Sequence, residues 1–63
     1  MNTITVNEKL FFILVRDARL DGYKNTVEYL KEEYKAILEN SNRMLFQDDK
    51  LYTLFLLTYS GYI

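Results

Sequence analysis

The chain has no cysteine, histidine, proline or tryptophan. Without cysteine there is no disulfide framework and no thiolate nucleophile or metal ligand. Without histidine the commonest general base and metal ligand is missing. Nucleophilic triads, zinc fingers and haem sites with His or Cys ligands are therefore excluded. Only carboxylates, Lys, Arg and Tyr remain for catalysis, and no spacing gathers them, so neither an enzyme nor a cofactor or metal is expected. Charge of one sign is also lacking. Eight Lys and Arg face nine Asp and Glu, a net charge of −1, so no global basic excess announces nucleic acid. Long apolar runs are absent too. The longest, Leu10 to Val15, falls far short of the ~20 residues of a membrane span. The first residues, MNTITVNEKL, lack the basic and apolar regions of a signal peptide. These features predict a soluble cytoplasmic protein with no membrane partner.

What is present is apolar and aromatic: 49% and 16% of 63 residues, too much for a disordered tail. A chain near this length buries only about 60% of the surface its unfolded form exposes. Small domains add disulfides, a metal or a partner subunit. With the first two undersupplied, a homodimer or higher homo-oligomer is expected.

Thr3-Ile4-Thr5-Val6 alternates polar and apolar with four β-branched residues, which predicts a short strand. Asn7 is placed to cap a helix over Lys9 to Asp21, with Glu8 near its positive end. Leu10, Leu14 and Ala18 recur at four-residue spacing, flanked by Phe11, Phe12, Ile13 and Val15. An apolar arc that wide predicts cover on more than one side. Gly22 ends the helix. Asn25 to Glu28 reads as a capping box. Val27, Leu30, Tyr34, Ile37 and Leu38 then form a helical stripe that predicts a second helix from Thr26 to Glu39. Asn40-Ser41-Asn42 is a break. Met44 to Phe46 is a short apolar patch. Asp48 or Asp49 would cap a third helix to about Tyr59, with Leu51, Leu54, Phe55 and Thr58 on one face. Capping is the better account of the two aspartates than a metal pair. Arg16 and Arg19 read as a solvated helix face. The six tyrosines and four phenylalanines read as core rather than as base-stacking groups, because no basic groove accompanies them.

The order of short strand, helix, Gly turn and capped helix resembles the ribbon-helix-helix family of DNA-binding proteins, the Arc/MetJ/CopG superfamily, over residues 1–39. Thr3-Ile4-Thr5-Val6 is similar to its ribbon strand. Gly22-Tyr23-Lys24-Asn25-Thr26-Val27-Glu28-Tyr29-Leu30-Lys31 resembles its turn and second-helix start. The resemblance implies a mainly α fold: a ribbon-helix-helix dimer with a C-terminal helix added by residues 40–63. It implies that two chains pair their first strands into a ribbon in the major groove, as a homodimeric transcriptional repressor. Met1, Thr3 and Thr5 would then face base edges, and Lys24, Asn25 and Thr26 would hold a phosphate. Ile4, Val6, Leu10, Leu14, Leu30 and Tyr34 would form the dimer interface.

Met1 stands where many members carry a basic or amide residue, and Thr26-Val27 where an Arg-Ser pair is common. The departures and the acidic balance leave a second reading, motivated by the net negative charge and the C-terminal aromatics. The chain would then be a small protein-binding inhibitor, adaptor or antitoxin-like module of a phage or plasmid. It would engage its partner through the aromatic residues 44–63.

Overall fold

A computed structural model describes residues 2–40 and 42–63. The elements run β1 (Asn2–Thr5), α1 (Glu8–Leu20), α2 (Thr26–Tyr34), β2 (Ala36–Asn40), β3 (Arg43–Phe46) and α3 (Asp49–Tyr59). A 3-10 turn, Ser60–Tyr62, follows α3. The three strands form one antiparallel sheet in the order β1-β3-β2.

This overturns the mainly α ribbon-helix-helix fold. Helix makes up 59% and strand 21%, a mixed α/β arrangement whose later strands follow the first two helices. The decisive difference lies at β1. It pairs within its own chain, with Thr3 opposite Leu45 and Ile4 opposite Met44. The Val6 N–H also donates to the Asn42 carbonyl at 2.6 Å. A strand that short must satisfy its backbone groups somewhere, and along one edge residues 43–46 do so within the same chain. Ile4 and Val6 are each only 5% exposed in the single chain. Leu10, Leu14, Leu30 and Tyr34, expected between subunits, are likewise buried in its core.

The second correction concerns α2. Its predicted stripe ran on to Leu38, but the helix stops at Tyr34. Lys35 turns left-handed (φ 50°), and its N–H donates to the Leu30 and Lys31 carbonyls. Residues 36–40 then become an edge strand. Ala36 sits opposite Phe46, Ile37 opposite Leu45 and Leu38 opposite Met44. The segment Ala-Ile-Leu fits either period. Pairing with β3 decides for strand, because it buries Ala36 against the large Phe46 ring. Tertiary context outweighs local propensity here.

β3 is the central strand, and its side chains alternate. Met44 and Phe46 are fully buried, while Arg43 is exposed. α3 covers the sheet with Phe55 at the middle of an aromatic cluster. Its ring meets Tyr34 edge-on at 5.2 Å, and Phe46 and Tyr59 at 5.2 and 4.7 Å. The face α3 buries is Tyr52, Phe55, Leu56 and Tyr59. Leu54 and Thr58, expected beside Phe55, point to solvent. Asp48 caps α3, accepting from the Lys50 and Leu51 N–H groups.

Two polar ties hold α3 and the 3-10 turn after it to α1. The Tyr59 hydroxyl donates to Asp17 Oδ2 at 2.6 Å and lies 2.9 Å from the Tyr29 hydroxyl. Asn7 serves twice: its Oδ1 accepts from the Leu10 N–H at 2.7 Å, and its Nδ2 donates to the Tyr62 carbonyl at 3.0 Å. The wide apolar arc of α1 is thus covered inside one chain. Phe11 and Ile13 pack on the core, while Phe12 and, at the end of the helix, Leu20 remain largely exposed.

Candidate nucleic-acid interface

α1 ends in a tight reversal that follows from its residues. Gly22 takes φ 83°, which costs glycine nothing. The Gly22 N–H donates to the Arg19 carbonyl at 3.1 Å, and the Tyr23 N–H to the Ala18 carbonyl at 2.9 Å. This pair of bonds is a Schellman cap. Five residues, 21–25, separate the two helices. Asn25 then opens α2, its Oδ1 accepting from the Glu28 N–H at 2.8 Å.

A strap fixes α2 against the turn. The Tyr23 hydroxyl donates to Glu33 Oε2 at 2.6 Å, and its ring meets Tyr29 edge-on at 5.5 Å. The Glu33 carboxylate pushes the Tyr23 hydroxyl up to about 12, since a phenolate there would face a carboxylate. Burial does the same for Tyr29, also pushed up to about 12. Tyr59 is pushed up further, by burial and by its bond to Asp17.

α2 turns Thr26, Tyr29, Leu30 and Tyr34 inward. Its outer face carries Val27, Glu28, Lys31 and Glu32. Lys24, Lys31, Lys35 and Arg19 are exposed and form no ion pair among the described residues. The ion pairs found there are Arg16 with Asp17 and Arg43 with Glu39. The tip of the β2–β3 hairpin lies just beyond α2 in sequence.

Lys24, Asn25 and Thr26, expected at a phosphate, do lie together. They border a pocket of about 230 Å³ with Val15, Ala18, Arg19 and Tyr23. Thr3 and Thr5 are exposed on β1. That strand is the sheet edge opposite β2, the strand that continues from α2. Neither threonine lines the pocket at Lys24–Thr26. Met1, the third expected base contact, lies outside the described residues. Arg19, a solvated helix-face residue by its sequence position, lines the same pocket. No local signal marks it, because only the reversal at Gly22 carries it to the start of α2.

Among the described residues, no group of three or more Asp or Glu is placed to hold a metal, and no helix is long and apolar enough to cross a membrane. Comparison of the chain with protein-family models, curated proteins and solved structures finds no match.

Proposed function

We propose that the protein binds duplex DNA through α1 and α2 acting as a helix-turn-helix, with α2 in the major groove. The observation that carries this reading is the division of α2. One side is locked in the core, and the other, Val27, Glu28 and Lys31, is presented bare at the helix's N-terminal half. In helix-turn-helix proteins those positions of the second helix meet base edges. The side chains suit the task. A valine fits the thymine methyl, a glutamate accepts from cytosine N4, and a lysine donates to guanine O6 and N7. Lys24 and Arg19 flank this face as cations for the backbone.

α2 itself is acid-rich, with Glu28, Glu32 and Glu33 against Lys31. Non-specific attraction is therefore weak, and base contacts must carry a large share of affinity. The long dimension of 27 Å is under one duplex turn of about 34 Å, so one copy spans a half-site.

The test is selection of bound sequences from random duplexes at low salt, followed by anisotropy titrations. A preferred site is expected, with a log–log salt slope of about −3 for a few phosphate contacts. Lys31→Ala should relax preference at one base position, while Lys24→Ala should weaken all sequences alike. No selected site and no salt-dependent retention would refute the proposal.

One observation favours protein binding as the second function. Residues 51–63 carry no charge, and Leu54, Leu57 and Ile63 are about half exposed or more. Capture of a single stable protein partner, lost in Leu57→Asp, with no retention on DNA, would select it.

A further inference from the structure

We infer that a second copy of the chain packs on the outer face of α3, antiparallel across a two-fold axis. Four residues carry the contact: Thr53, Leu54, Leu57 and Thr58. Their spacing puts them on one side of the helix, away from the buried Phe55 and Tyr59. All four are exposed, Leu54 to 49% and Leu57 to 73%. The two threonines ask for no polar partner from whatever covers them. The Thr53 hydroxyl donates to the Asp49 carbonyl at 3.0 Å, and the Thr58 hydroxyl to the Leu54 carbonyl at 2.9 Å.

The order of these four residues names the occupant. Thr-Leu at 53–54 and Leu-Thr at 57–58 mirror each other about the midpoint between Phe55 and Leu56. A two-fold contact needs a surface complementary to itself. An axis through that midpoint sets Leu54 against Leu57 of the second copy and Thr53 against its Thr58, each pair occurring twice. Charge agrees. Every charged side chain lies within residues 8–50 and none within 51–63, so two copies meet along this face without like-charge repulsion. Lys50 lies on the same side of α3, exposed and without an ion pair among the described residues. It stands in the first turn, at the positive end of the helix, where a cation is unfavourable. The last turn of α3 holds no basic residue. Antiparallel pairing carries Lys50 of each copy to the negative end of the other's α3, where a cation is favourable.

The contact is small. A helix of 11 residues is about 16 Å long, so the interface falls below about 1,200 Å², among the weak and exchanging ones, with a dissociation constant on the order of 10 μM. The pairing does not depend on DNA binding. In the DNA reading it would give each dimer two copies of the α2 face.

Sedimentation equilibrium of the full chain without DNA, across micromolar to millimolar concentrations, tests the pairing. A reversible monomer–dimer equilibrium is expected, shifted at least tenfold toward monomer in Leu57→Asp. Circular dichroism melting shows whether that variant keeps its fold. The geometry is tested independently with Thr53→Cys and Thr58→Cys, since the chain has no other cysteine. A short bismaleimide should join a mixture of the two variants several-fold more than either alone. A chain monomeric at every concentration, or a dimer as tight in folded Leu57→Asp as in the parent, overturns the inference. So does Thr53→Cys joining to itself as well as to Thr58→Cys. A monomer that still binds a duplex overturns the pairing and leaves the DNA proposal standing. A monomer that captures a different protein through Leu57 overturns it in favour of the second function.

Discussion

Asn25 shows how one side chain fixes a site. Its Oδ1 bond to the Glu28 N–H at 2.8 Å sets where α2 begins and which way its outer face looks. Asn25→Ala should cost about 1 kcal/mol in chemical denaturation without moving the tyrosine cluster. Tyr29 and Tyr59 make a different prediction. Both hydroxyls are held neutral, Tyr29 chiefly by burial and Tyr59 by burial and its bond to Asp17. Their folded values lie above the unfolded value near 10, so folding favours the protonated form. That contribution is complete below about pH 10 and is lost as pH rises toward and beyond 12. Tyr23 adds to the same window through Glu33. Denaturation midpoints across alkaline pH should fall steeply in the parent chain, and less steeply in Tyr29→Phe with Tyr59→Phe. Equal slopes would mean these hydroxyls titrate normally.

At the scale of elements, the end of α2 is the feature most open to test. Lys35 holds φ 50°, a left-handed conformation that disfavours any side chain with a Cβ. Lys35→Gly should stabilise the protein by roughly 0.5–1 kcal/mol, read as a higher melting temperature. Destabilisation would show that the lysine stem contributes packing that outweighs the strain. The same turn explains the wrong periodicity inferred for residues 36–40. Ile37 and Leu38 sit where a helix would bury them, and nothing local between Tyr34 and Asn40 forbids helix. Only the approach of Met44 and Phe46 makes strand the better choice. Asn7, Gly22, Asn25 and Asp48 are different, because each acts on amides within three residues of itself. Capping residues of that kind are readable without knowing the fold.

For the whole molecule, the two ends of the chain build one core. β1 pairs with β3, and α3 brings Phe55 and Tyr59 between Phe46, Tyr34 and Tyr29. Residues 40–63 are thus not an addition to a finished unit. A chain ending at Asp48 should lose cooperative unfolding, since the fully buried Phe55 alone is worth about 3–5 kcal/mol against alanine. A sharp melting transition in that truncated chain would show that residues 1–48 close a core unaided. This end-to-end closure buries Ile4 and Val6 within the single chain.

The sequence alone determined what is local. It excluded cysteine and histidine chemistry, set the caps at Asn7, Asn25 and Asp48, and placed the reversal at Gly22, because each of these depends on atoms a few residues apart. The tertiary structure decided the partner of β1 and the strand at 36–40. Those outcomes turn on contacts between segments distant along the chain, where burial of Phe46 and Phe55 outweighs any local preference.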